Sequence, residues 1–143
     1  MTAESCTGGG IGTALTAVAG SSSVYKGGII CYTNWVKQNL LSVPKSYLSE
    51  FGAVSAPVAE AMALGARQNL DADVAVSVTG LAGPGGDEFG NPVGTVYIGY
   101  SDENTTLSVK YLFDGDRDAV RQSAIRAALE IILEMNKKKE SVI

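Results

Sequence analysis

Val74-Ala75-Val76-Ser77-Val78-Thr79-Gly80, running into Leu81-Ala82-Gly83-Pro84-Gly85-Gly86, is the stretch from which the fold can be read. Residues 74–78 are almost continuously apolar and rich in β-branched valine, the pattern of a strand covered on both faces. Thr79-Gly80 ends the strand, and the glycine-rich segment from Leu81 to Pro92 leaves its C-terminal end, where open α/β sheets bind ligands. Upstream, Ser55 with Pro57 and Glu60 opens a helix predicted to run to about Leu70. Downstream, Val93–Tyr100 and Thr105–Phe113 form a hairpin around Ser101-Asp102-Glu103-Asn104. A last helix is predicted from about Asp116 to Lys138, with Val120, Ala124, Ala127, Ile131 and Met135 in phase.

Nearer the start, Gly27–Tyr32 is expected to be a second buried strand. Asn34 is expected to cap a short helix through Leu41, and Pro44 to start another through Phe51. Thr7–Val18 is predicted to be a helix with Ile11, Leu15 and Val18 on one face, stopped by Gly20 and followed by the polar loop Ser21-Ser22-Ser23. Helices alternating with buried strands, plus one hairpin, give an α/β fold, a three-layer α/β/α domain with a mixed sheet. Residues 1–143 are expected to form a single domain.

Composition removes several classes of function. The chain is 45% hydrophobic and 18% charged, as in ordinary globular proteins. Its net charge of −4 argues against nucleic acid or an anionic membrane as partner. Lys137-Lys138-Lys139 reads as a solvated helix end complementing the dipole. Two cysteines, Cys6 and Cys31, form neither a disulfide framework nor a metal motif, so a reduced, cytoplasmic protein without metal or cofactor is expected. No apolar run approaches the ~20 residues of a membrane helix, and no signal-peptide pattern is present. There is no histidine. Ser–His–Asp and Cys–His catalysis are thereby excluded, and proton transfer near neutrality falls to a lysine, carboxylate, tyrosine or cysteine with a shifted pKa.

The candidate chemistry sits in Glu4-Ser5-Cys6-Thr7-Gly8-Gly9-Gly10. Glycines let backbone N–H groups approach a ligand, and a following helix start adds unpaired donors beside the Ser5 hydroxyl. Ser5 needs a base, and a desolvated lysine is the economical one. Lys37 lies one short helical turn past the Gly27–Tyr32 strand, whereas Lys26 and Lys45 sit in polar connecting segments. Cys6 is a rival nucleophile if the helix start lowers its pKa, and otherwise a small core residue. Gly80, Gly83, Gly85 and Gly86 offer backbone donors, although the loop is neither a Walker A nor a dinucleotide motif. Arg117 and Arg121 share one face at the start of the last helix, where the dipole disfavours cations. Either they grip an anion, or Asp114, Asp116 and Asp118 neutralise them.

Six ordered segments carry a family resemblance: Thr2–Gly9 (TAESCTGG), Gly28–Lys37 (GIICYTNWVK), Gly52–Pro57 (GAVSAP), Ser77–Gly86 (SVTGLAGPGG), Pro92–Val96 (PVGTV) and Gly115–Arg121 (GDRDAVR). Together they resemble the C-terminal domain of the competence/damage-inducible CinA proteins, which also exists alone as the PncC-type nicotinamide mononucleotide amidohydrolase. The resemblance implies hydrolysis of a nucleotide carboxamide by a Ser/Lys pair matching Ser5 and Lys37, with Tyr32 beside them. Thr7, Gly8, Gly9, Thr79, Gly80, Gly83, Arg117 and Arg121 are the expected substrate-binding set, and the implied partner is a small-molecule nucleotide. A non-catalytic nucleotide-binding or assembly module tied to competence or DNA damage is the alternative. Family members begin with a helix and a strand before the TAESCTGG motif. Neither is expected ahead of Ser5 here: either the chain is truncated, or another chain supplies that layer, as a homodimer or higher homo-oligomer is expected to do.

Overall fold

The computed structural model describes residues 1–142. A five-stranded sheet has the order β2-β1-β3-β4-β5, formed by β1 (Thr2–Glu4), β2 (Gly28–Ile30), β3 (Ala75–Gly80), β4 (Thr95–Ser101) and β5 (Thr106–Leu112). β1 runs parallel to both β2 and β3, and β4 and β5 complete the sheet antiparallel. The helices are α1 (Gly10–Thr16), α2 (Asn34–Leu41), α3 (Lys45–Phe51), α4 (Ala56–Asn69) and α5 (Arg117–Val142).

The sheet separates two apolar clusters, which makes the fold three-layered. On one face, Ile11 of α1 and Val120, Ala124 and Ile131 of α5 pack on Val76, Val78 and Ile98. On the other, Leu41, Leu48, Val58 and Met62 from α2, α3 and α4 pack on Ala3 and Ala75. Adjacent residues of β3 therefore serve opposite faces, as the period of a strand requires.

Four expectations change. A strand does precede Ser5: β1 is fully buried between β2 and β3, paired residue for residue through Ala3↔Ile29 and Ala3↔Ser77. The strand expected at Gly27–Tyr32 is shorter and lies at the sheet edge, with Ile30 55% exposed, so its apolar run does not signal burial. α1 starts at Gly10, not Thr7, because Gly8 (φ +58°) and Gly9 (φ +104°) are left-handed and cannot continue a right-handed helix. Ser21–Ser23 is a short 3-10 turn.

Close backbone approach is set by glycine at two places. A Cβ on Gly65 of α4 would overlap the Leu41 carbonyl at the end of α2, and one on Gly99 of β4 would overlap the Ala59 carbonyl of α4. Gly65→Ala is expected to lower the unfolding free energy by about 1–3 kcal/mol through overpacking. Gly85→Ala, with nothing within 4 Å of the added carbon, should change it by less than about 0.5 kcal/mol. Urea unfolding of the two variants checks this.

Candidate active site

Ser5 and Lys37 meet at the C-terminal end of the parallel strands. Ala3 faces the α2–α4 layer, whereas Glu4 faces α1. The Ser5 N–H continues the pairing by donating to the Val78 carbonyl at 3.0 Å, so Ser5 returns to the side of Ala3, toward α2. On α2, Lys37 and Leu41 are one turn apart and are its two buried residues. A helical side chain leans toward its own N-terminus, which carries the Lys37 amine back to the strand end. The result is a Lys37 Nζ that donates to Ser5 Oγ at 3.1 Å and to the Cys31 carbonyl at 2.8 Å.

Lys37 is 1% exposed and Ser5 8%. Among the described residues Lys37 forms no ion pair. Burial therefore pushes its pKa below the ordinary 10.5, because the charged amine loses its water without gaining a counter-ion. The same burial pushes both Cys6 and Cys31 up to about 11, so each stays a thiol near neutrality. The lowered pKa expected for a Cys6 nucleophile is reversed: desolvation outweighs a backbone hydrogen bond and the nearby Arg121, Lys37 and Arg117 charges.

Above the pair lies a cleft of about 360 Å³, lined by Ser5, Lys37, Tyr32, Thr79, Gly80, Gly83 and Arg117 among others. Arg117 donates to the Gly83 carbonyl at 2.7 Å and to the Tyr32 hydroxyl at 3.2 Å, and so bridges two walls. Thr79 turns its hydroxyl to the Ala53 carbonyl at 2.7 Å. Thr7, Gly8, Gly9 and Arg121 do not line the cleft. Arg121 donates instead to the Cys6 and Thr7 carbonyls, at 3.0 and 3.3 Å. Neither arginine is neutralised by Asp114, Asp116 or Asp118; Asp116 accepts the Ala119 N–H at the start of α5. A larger groove of about 560 Å³ near Tyr47, Phe51 and Leu64 is mostly apolar, and its carboxylate, Glu60, is bonded to the Ser108 hydroxyl. Among the described residues no group of three His, Cys, Asp or Glu side chains is placed to hold a metal, and no helix is long and apolar enough to cross a membrane.

The fold recurs in known proteins. A model of the CinA C-terminal domain matches residues 1–136. The chain belongs to the CinA C-terminal domain family. It is 46% identical to the nicotinamide-nucleotide amidohydrolase PncC of Pseudomonas putida over 134 residues, which cover 94% of this chain and 84% of that protein. A CinA-like protein of Geobacter sp. (strain M21) is 50% identical over 119 residues, 83% of this chain and 29% of that protein. The chain thus spans about a third of the length of the CinA-like relatives it matches. A CinA superfamily protein from Escherichia coli superposes with a TM-score of 0.91 at 39% identity, covering 94% of this chain and 78% of that one. CihA from Agrobacterium tumefaciens does so at 0.90 and 44% identity, covering 94% and 83%.

In this CinA-family chain two further residues shape the site, neither of which stands out from the sequence as a site residue. Asn34 lines the cleft at the first position of α2. Glu4, 2% exposed, accepts hydrogen bonds from the Thr7 hydroxyl and from the Ile11 and Gly12 N–H groups. A carboxylate immediately before a glycine-rich helix start was the available signal.

The lowered pKa of Lys37 has a consequence for stability. Between its folded value and 10.5, the unfolded chain holds a proton that the folded chain lacks, so stability rises with pH across that window. Below the window the folded state carries a buried, unpaired ammonium. Lys37→Met is therefore expected to be more stable than the parent at neutral pH, with the gap closing as pH rises toward 10.5. Urea unfolding of both proteins at a series of pH values measures the difference.

Proposed function

We propose that the chain hydrolyses the carboxamide of nicotinamide mononucleotide to nicotinate mononucleotide and ammonia, with Ser5 as nucleophile and Lys37 as its base. The observation that carries this reading is the buried, unpaired Lys37 amine 3.1 Å from Ser5 Oγ on the floor of an open cleft. The identity to the Pseudomonas putida amidohydrolase supports the choice of substrate.

Neutral Lys37 has a lone pair to accept the Ser5 proton while one of its N–H groups stays on the Cys31 carbonyl. Ser5 Oγ attacks the carboxamide carbon, and backbone N–H groups that line the cleft take the oxyanion. The Lys37 ammonium returns its proton to the departing nitrogen, and ammonia leaves. Water, deprotonated by Lys37, then cleaves the acyl ester, which restores Ser5 and releases nicotinate mononucleotide. Arg117 faces the cleft already oriented by Gly83 and Tyr32. It suits the nucleotide phosphate through its remaining donors.

Ser5→Ala and Lys37→Ala should each reduce ammonia release from nicotinamide mononucleotide by about 10³-fold or more. A fully active Lys37→Ala variant contradicts the pair, and nucleotide binding by the parent without turnover favours a non-catalytic nucleotide-binding module. Because the base must be uncharged, kcat/KM is expected to rise with pH and to level off below 10.5.

A further inference from the structure

α1 begins with glycine, and its N-cap, Gly9, has no side chain with which to satisfy the first N–H groups. The missing acceptor comes from the neighbouring strand. Glu4 Oε1 receives Ile11 N–H at 2.8 Å and the Thr7 hydroxyl at 2.7 Å, and Oε2 receives Gly12 N–H at 3.0 Å. Ser5 is therefore bounded by a strand residue whose side chain loops forward to the helix that follows. On the carbonyl side of the same turn, Arg121 reaches from α5 to the Cys6 and Thr7 oxygens. Its guanidinium approaches the turn from the layer opposite α2 and contributes nothing to the cleft wall.

We propose that Glu4, Thr7 and Arg121 are positioning residues that hold the Ser5 turn from its donor and acceptor sides, leaving Arg117 as the arginine that grips the substrate anion. This rests on Ser5 being the nucleophile. The reason for two clamps is in the backbone: Gly8 and Gly9 both have positive φ, and a turn rich in glycine loses most conformational entropy on ordering. Held loosely, Ser5 Oγ would leave the reach of Lys37, and a displacement of about 1 Å is enough to cost 10²-fold in rate. The two arginines thus divide their work. They stand one helical turn apart, but one binds loop carbonyls behind the nucleophile and the other stands over the cleft.

The test uses the full chain and two readouts: the rate at which a fluorophosphonate probe labels Ser5, which needs no nucleotide, and kcat and KM for ammonia release. Thr7→Val keeps the shape of the side chain but loses the donor to Glu4, and Thr7→Ser keeps the donor. Thr7→Val and Arg121→Met are expected to slow labelling and lower kcat about tenfold or more with KM within about twofold, whereas Thr7→Ser stays near the parent. Arg117→Met is expected to act mainly by raising KM. Thermal unfolding confirms that each variant is folded; if Arg121→Met is not, the Thr7 pair and Glu4→Gln decide. Folded Thr7→Val labelling at the parent rate, Thr7→Ser as slow as Thr7→Val, or an Arg121→Met loss confined to KM would each overturn the proposal. A parent that labels at Ser5 but releases no ammonia from nicotinamide mononucleotide defeats the substrate assignment, and labelling alone then judges the clamp. A folded parent that does not label at Ser5 overturns both.

Discussion

An amine buried without a counter-ion is the constraint around which the rest of the site is arranged. Lys37 sits where Leu41 sits one turn later, on the stripe of α2 that faces the core, with its Nζ on a hydroxyl and a carbonyl. A lysine in that position is unfavourable for folding unless it sheds its proton. The cost to stability and the lowered pKa of Lys37 have one origin, the desolvation that disfavours the ammonium beside Ser5. A carboxylate close by would cancel both effects. The buried carboxylate that is near, Glu4, points to the other face of the sheet and is occupied by the start of α1.

Sheet geometry makes that separation possible. Successive strand residues point to opposite faces, so Glu4 and Ser5 are covalent neighbours whose side chains serve different layers. Glu4 organises the helix that follows, and Ser5 faces the helix that carries Lys37. The two arginines of α5 show a comparable division between the back of the turn and the cleft.

Much of this was legible in the sequence, and what was not has definite physical causes. β3, the β4–β5 hairpin, α4 and α5 announced themselves through continuous apolar runs, a turn of polar residues and a sustained helical period. β1 did not, because three residues cannot show a period and two of them carry polar side chains that find partners inside: Thr2 with Tyr25, and Glu4 with α1. β2 misled in the opposite sense, since Ile29 and Ile30 look like core but lie at the sheet edge. Ser5 and Lys37 stood out through the absence of histidine. Their contact spans 32 positions, a long-range fact that only the packing of α2 against the strand ends supplies. The roles of Arg117 and Arg121 could not be separated in sequence, because one face of one helix presents both.

Burial lowers the pKa of Lys37 in the folded protein. Titration of its side chain by NMR, following the Cε carbon of Lys37 with Lys37→Met to assign the signal, measures this directly. A midpoint below 10.5, set apart from those of the surface lysines, is expected. A midpoint at or above that of the surface lysines would contradict it.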